Sequence, residues 1–353
     1  MAATARQLRL IDCDVHQALD SRFRDYLEEP WRSMALPGGI SWPASVLGHT
    51  GYREDIGSKG GTGQARDSEP DFVVKELLEG YGVDIAILTG SRVLSVNNHP
   101  NSQFALAWIR AYNDWLIDTW LSHDPRFKGT MMVIQQDIAG SVREIERIGG
   151  HPNIVQVMTA GSSPVLFGKR YFWPLYEAAE HYNLPVALHP LGLTPPSGSG
   201  FGSTYLENHT TLATGYMDHL VSLLCEGVFE QFPRLKFVFI EGGVAVFAPL
   251  MWRLDKNWKA VRAEVPWLTR KPSEYLVTNV RFTSQPVEEP ERQELLIRLL
   301  ETLDAERTLM FATDWPHWDF DSPTAVFSRF PAKLKQRIFV ENARELYGFG
   351  DLP

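Results

Sequence analysis

Eight short apolar runs, spread through the chain and closed by turn residues, limit the fold of this sequence more than any other feature. They read as strands over residues 8–13, 83–88, 129–134, 153–158, 185–189, 236–240, 278–282 and 308–311. Runs such as PVALH, KFVFI and TLMFA are apolar without alternation, the pattern of parallel strands covered on both faces. Intervening segments, among them residues 101–121, 173–182 and 289–303, carry helical spacing. Eight βα units in order predict an α/β fold, a closed (β/α)8 TIM barrel.

A chain of 353 residues is long enough for one large barrel, and it is read as a single domain over 1–353. Hydrophobic residues at 44% and charged residues at 22% are ordinary for a folded protein with a large core. The net charge of −9 and the lack of a basic stripe argue against nucleic acid as a partner. Residues 1–9 lack an apolar run of signal-peptide length, and the most apolar later stretch, 237–252, is interrupted by Glu241, Gly242, Gly243 and Pro249. No membrane partner is expected, and the cytoplasm is the default location. Cys13 and Cys225 are too few for a disulfide framework and are expected to be reduced.

Two segments exceed a minimal barrel. Residues 17–71 separate the first strand from its helix and contain the Gly-rich patch GSKGGTGQ at 57–64; residues 193–206 follow the fifth strand. Both leave the carboxyl ends of strands, the face on which barrel active sites lie, so both are candidates to cover a substrate, with a disordered insertion an equal expectation for the glycine patch.

The residues that carry chemistry gather at the same ends. Asp14 and His16 close strand one, His189 closes strand five, Glu241 follows strand six and Asp314 follows strand eight. Residues two apart on an extended segment face one way, so Asp14 and His16 can address one ion. Three carboxylates and two histidines on one rim, with no obvious Lys or Arg among them, call for a cation. Nitrogen and carboxylate ligands suit a divalent metal, zinc first, with manganese or iron also accommodated, as one or two ions. His317, three residues after Asp314, is placed either as a catalytic acid or base or as a support for the ligands. His209 and His219, ten residues apart, are read as flanking one helix, with at most one reaching the site. Arg92, after strand two, is a candidate clamp for a substrate carboxylate or, equally, a structural ion-pair partner of the rim acids. The aromatic segments around 112–120 and 251–258 read as helix packing or a subunit interface, and a homo-oligomer is expected.

The motifs IDCDVH (11–16), LPVALHP (184–190), GVFEQFPRLKFVFIEGG (227–243), MFATDWPHWD (310–319) and VENARELYGF (340–349) make the chain resemble the amidohydrolase superfamily. Within it the resemblance is to the branch of the aminocarboxymuconate-semialdehyde, resorcylate and carboxyvanillate decarboxylases, and it runs nearly end to end. It implies a barrel enzyme with Asp14, His16, His189 and Asp314 as metal ligands, Asp314 also managing protons. A histidine commonly ends strand six in those decarboxylases, where this chain has Glu241. Strand four, which brings a bridging lysine or glutamate to binuclear hydrolases, ends here in QVMTAG (156–161) with neither. A second ion would therefore draw on Glu241, with His317 or His209 completing it.

The leading expectation is a metal-dependent hydrolase or nonoxidative decarboxylase acting on a small carboxylate-bearing molecule, with Asp314, Glu241 and His317 at the chemistry. A binuclear iron or manganese oxygenase is a second expectation. A third is a structural metal-binding subunit that supports an active paralogous partner. Glu241 is the residue on which the reaction class turns.

Overall fold

Most of the eight apolar runs fold as parallel strands without alternation because they are buried on both faces, against the barrel interior and against a helix, with Lys128 and Arg281 half-buried. The computed structural model describes residues 9–34, 66–90, 92–190 and 204–350. Its strands are β1 (Ile11–Val15), β2 (Ile85–Leu88), β3 (Phe127–Met132), β4 (Ile154–Ala160), β5 (Val186–His189), β6 (Phe237–Phe239), β7 (Val280–Thr283) and β8 (Leu309–Met310). They pair in chain order, every neighbour parallel. β8 returns to β1 beyond its two ladder residues: Cys13 N–H donates to the Phe311 carbonyl at 3.0 Å, and His16 N–H to the Trp315 carbonyl at 2.7 Å. This is the expected (β/α)8 barrel.

The helices lie where the 3.6-residue spacing put them. The segment 101–121 becomes a helix over Ser102–Leu116 followed by a wider turn over Ile117–Leu121, and 173–182 and 289–303 become Trp173–His181 and Gln293–Thr302. Asn101 starts the first of these by accepting a bond from Phe104 N–H at 3.1 Å, and Asp137 starts Ile138–Ile148 by accepting from Gly140 N–H at 2.8 Å. Each such cap is worth about 1 kcal/mol. Tyr112 and Trp115 on the first helix and Trp120 on the wider turn after it are fully buried, so these aromatic residues serve the core. Truncating one to alanine should cost about 3–5 kcal/mol.

Asn113 ties that helix to the sheet. Its amide donates to the Met132 carbonyl at 3.1 Å and to Glu144 at 2.8 Å, and its oxygen accepts from Met132 N–H at 2.8 Å, which fixes the upper end of β3. The insertion after β1 is anchored by buried Phe23 and Leu27. Its Gly-rich patch at 57–64 and most of 193–206 lie outside the described residues. Among the described residues no helix is long and apolar enough to cross a membrane.

Candidate metal centre

β1 delivers its side chains by simple alternation: Asp12, Asp14 and His16 share one face, and all three are buried. His16 is turned by its own backbone surroundings, with Nδ1 against the Gly90 carbonyl after β2. His189, the last residue of β5, is turned likewise, with Nδ1 2.7 Å from the Pro190 carbonyl. A carbonyl only accepts, so each Nδ1 carries the hydrogen and each Nε2 of a neutral ring is left with its lone pair. The two Nε2 atoms are 3.2 Å apart.

The carboxylates close around them. His16 Nε2 is 2.9 Å from Asp314 Oδ1 and 3.3 Å from Asp14 Oδ1; His189 Nε2 is 3.0 Å from Glu241 Oε2 and 3.7 Å from Asp14 Oδ2. Asp314 Oδ1 is also 2.7 Å from His317 Nδ1. Asp14 Oδ2 and Asp314 Oδ2 are buried without a hydrogen-bond partner. Apart from Thr89 Oγ1, which donates to Asp14 Oδ1 at 2.6 Å, and His317 Nδ1, which donates to Asp314 Oδ1, the cluster consists of acceptors facing acceptors. Such an arrangement holds together only with protons or a cation inside it.

Two overlapping sets of ligand atoms are close enough to share an ion. Asp14, His16, His189 and Glu241 form one, and His16, Glu241, Asp314 and His317 the other, with all chosen atoms of a set within 4.8 Å of one another. The nitrogen and oxygen donors fit a divalent metal, and the orphaned oxygens of Asp14 and Asp314 supply unused lone pairs for it.

The protonation preferences follow from the same crowding. Burial opposes charge on every member, yet the Asp14 and Asp314 carboxylates hold His16 protonated well above its ordinary range. Asp14 and Glu241 likewise overcome burial to raise His189 to about 10. Burial works against ionised Asp14 as well, but His16 and His189 bring its carboxyl well below the usual range; His317 and His16 do the same for Asp314. Glu241 is pushed upward by burial and by Asp314, only partly offset by His189 and His317. Without a metal, then, protons on the histidines neutralise the carboxylates. A bound cation takes their place.

Two of the carboxylates stand on unusual backbone. Glu241 and Asp314 have φ of 53° and 59°, the left-handed region that residues with a Cβ seldom occupy. Both lie just past a strand, where the chain turns out of the barrel, and the turn aims the side chain back across the mouth.

The other sequence candidates separate. His317 joins the cluster, its ring centroid 4.4 Å from that of His16. His209 and His219 lie on two helices, Tyr205–Thr210 and Leu212–Cys225, and not on one as the spacing suggested; the chain breaks its helical run at Thr211. His209 reaches the rim, where Nε2 is 3.2 Å from Asp319 Oδ2, whereas His219 is buried against Phe167 and lowered to about 4 by that burial. Neither belongs to the two ligand sets. Arg92 begins the short helix Arg92–Asn98 after β2, and its side chain lies outside what is described. The end of β4 contributes neutral groups: Thr159 Oγ1 donates to Asn97 Oδ1 at 2.9 Å, and Gln156 turns down to Thr130 and Tyr347.

Sequence reasoning missed Thr89 and Gln17. Gln17 accepts from Gly90 N–H at 2.9 Å and donates to the Tyr112 hydroxyl at 3.0 Å, holding the loop whose carbonyl orients His16. Their positions straight after β2 and His16 were the only available signal.

The sequence profile of the family described as "Amidohydrolase" matches residues 66–349. The chain belongs to the amidohydrolase family. Among its relatives in this family, the gamma-resorcylate decarboxylase of Polaromonas sp. (strain JS666 / ATCC BAA-500) is 26% identical over 69% of this chain and 76% of its own. The 2-keto-4-carboxy-3-hexenedioate hydratase of Sphingobium sp. (strain NBRC 103272 / SYK-6) is 25% identical over 69% and 68%. Solved amidohydrolase-family folds superpose closely. The 5-carboxyvanillate decarboxylase of Novosphingobium aromaticivorans, complexed with manganese and 4-hydroxy-3-methoxy-5-nitrobenzoic acid, has a TM-score of 0.70 at 19% identity over 98% of both chains. An amidohydrolase from Mycobacterium avium subsp. paratuberculosis reaches 0.76 at 18% identity, over 98% of this chain and 100% of that one. At these identities the structural likeness speaks for the fold.

Proposed function

We propose that this amidohydrolase is a divalent-metal-dependent, nonoxidative decarboxylase of a small hydroxylated aromatic carboxylate. The observation that carries the reading is the pair of facing Nε2 lone pairs, 3.2 Å apart, set among carboxylates of which two buried oxygens, Asp14 Oδ2 and Asp314 Oδ2, have no hydrogen-bond partner. The gamma-resorcylate decarboxylases among its relatives and the manganese in related solved structures support it. Asp14, His16, His189 and Asp314 would hold the ion, with Glu241 joining them, and manganese or zinc both suit this oxygen-rich set. When bound, the ion supplies positive charge that fixes a substrate carboxylate and a neighbouring hydroxyl.

The chain's own residues then manage one proton. In decarboxylation the carbon–carbon bond electrons stay on the ring carbon, which takes a proton as carbon dioxide leaves. His317 would deliver that proton, a role supported by its 22% side-chain exposure and by its Nδ1 resting on Asp314 Oδ1 at 2.7 Å. Asp314, held below the usual range by His317 and His16 against the effect of burial, keeps a negative charge that orients the imidazole and steadies it when protonated. Arg92 after β2 remains the candidate for a second contact to the substrate carboxylate.

The test is incubation of the Mn2+-loaded chain with 2,6-dihydroxybenzoate and 5-carboxyvanillate, following carbon dioxide release. Turnover that ceases on chelation and returns with Mn2+ supports the reading; no release from either compound, nor from other hydroxybenzoates, overturns it.

A second reading is favoured by Glu241, an anionic group where those decarboxylases commonly have histidine. A carboxylate there can accept a proton from water, which is the need of a hydratase or hydrolase, and one relative is a hydratase. Metal-dependent loss of absorbance from an unsaturated oxo-tricarboxylate, without carbon dioxide release, would select it.

A further inference from the structure

Tyr216 is outside the acceptor cluster, yet it touches the strand ends that build it. It sits on the helix Leu212–Cys225 and is buried. Its hydroxyl is 2.9 Å from the Leu188 carbonyl and 2.9 Å from the Ile240 carbonyl, and these residues immediately precede His189 and Glu241. The ladder between β5 and β6 stops at this level: Ile240 N–H donates to the Leu188 carbonyl at 2.9 Å, and after that the chain turns away. The hydroxyl adds a tie one step further than the backbone alone provides.

The ring is held from two sides by glycines. A Cβ on Gly161, just past β4, would fall 2.2 Å from Tyr216 Cε1, and one on Gly242, just past Glu241, would fall 2.4 Å from Cδ2. Gly161 N–H in turn donates to the His189 carbonyl at 2.7 Å. One side chain therefore braces the ends of β4, β5 and β6 together.

Glu241 needs such bracing. Its φ of 53° is unfavourable for a residue with a long side chain and persists only where the surroundings over-determine it. Thr283 Oγ1 accepts from Glu241 N–H at 3.0 Å. The Tyr216 hydroxyl meets the carbonyl before Glu241, and the Tyr216 ring fills the space beside Gly242 after it.

We propose that Tyr216 is a positioning residue for the metal centre: its hydroxyl and ring hold His189 and Glu241 where both can address one ion. The inference rests on the reading of this cluster as a metal site. One hydroxyl proton is shared between two carbonyls, so Tyr216→Phe removes the tie and leaves the packing.

The experiment compares the full chain with Tyr216→Phe, loading each with Mn2+ alone and measuring affinity by calorimetry and the electron paramagnetic resonance line shape of the bound ion. The expected result is Mn2+ affinity lower by about 10- to 100-fold, the scale for partners that orient metal ligands, with an altered line shape. The circular dichroism of the metal-free variant should match the parent. Gly161→Ala, which displaces the ring from the β4 side and keeps the hydroxyl, should weaken Mn2+ in the same direction. A parent chain that takes up no Mn2+ overturns the metal reading and this one with it. Mn2+ uptake by the parent with equal affinity and line shape in Tyr216→Phe overturns the role of Tyr216 alone. A Tyr216→Phe chain without native circular dichroism also overturns it, because Tyr216 would then be structural.

Discussion

His16 and His189 point their Nε2 atoms at each other across 3.2 Å while each Nδ1 rests on a backbone carbonyl, Gly90 for the first and Pro190 for the second. Two neutral rings held this way repel, and Asp14, Glu241 and Asp314 around them offer only further acceptors. Something positive belongs at that point, and its form should depend on whether metal is present.

Removing metal should make stability sensitive to alkaline pH. In the metal-free chain burial opposes protonation of His189, but Asp14 and Glu241 raise it to about 10, above the value near 6.5 of an unfolded chain. The folded state then binds the extra proton between those values, so the contribution is complete below about pH 6.5 and is lost as pH rises through about 10. Urea unfolding with chelator at pH 6, 8 and 10 should show the loss, and saturating Mn2+ should flatten it. Mn2+ at 100 times its dissociation constant should add about 2.7 kcal/mol. Equal slopes with and without metal would contradict this.

Glu241→Gln keeps the side-chain volume and removes a charge that lies 3.0 Å from His189 Nε2. Both ligand sets contain Glu241. The variant should bind Mn2+ about 10- to 100-fold more weakly, and any second equivalent of metal should disappear from elemental analysis. Unchanged stoichiometry and affinity would place Glu241 outside the metal shell.

Asp314→Asn and His317→Gln separate ion binding from proton handling. Asp314 touches both His16 and His317, so its loss should lower metal affinity and turnover together. His317→Gln should leave most of the metal in place and reduce kcat about 10²–10⁴-fold, the usual contribution of a positioned acid or base. Elemental analysis beside steady-state kinetics on any substrate that is turned over decides the point. A His317→Gln enzyme with full kcat would remove the residue from the chemistry.

Thr89→Val should report on Asp14. The Thr89 hydroxyl donates to Asp14 Oδ1 at 2.6 Å, and valine of nearly equal shape leaves that buried oxygen only the longer contact to His16 Nε2 at 3.3 Å. The metal-free chain should lose about 1–3 kcal/mol in urea unfolding. An unaltered midpoint would mean that the bond contributes nothing net.

Asp12 supplies an acid-side prediction. It is buried between β1 and β8, and burial raises its carboxyl to about 7 although Thr313 N–H, at 2.9 Å, and the Thr313 hydroxyl, at 2.5 Å, donate to it. The folded state binds a proton that the unfolded chain releases near 3.8, so this group's contribution is complete below about pH 4 and declines as pH rises to about 7. Asp12→Asn, whose amide is never charged, should be more stable than the parent at pH 8 and no more stable at pH 4. Denaturation at the two values tests it, and a variant weakened more at pH 8 than at pH 4 would refute it.

The sequence alone determined the count and order of the strands, because burial on both faces writes itself into every apolar run. It also brought Asp14, His16, His189, Glu241 and Asp314 to one rim, since a parallel barrel sends every strand's carboxyl end the same way. His209 and His219 defeated the local reading: a break at Thr211 sends one to the rim and the other under Phe167. Only the tertiary structure decided that two imidazole lone pairs meet, that Glu241 and Asp314 turn left-handed to face them, and that Thr89 and Tyr216 support them. Those relationships join residues far apart in the chain, His16 and His189 by 173 positions and Asp314 farther still, and they depend on ångström distances that arise only when the barrel closes. Local periodicity reports which face a residue takes, and the closed sheet sets what stands opposite it.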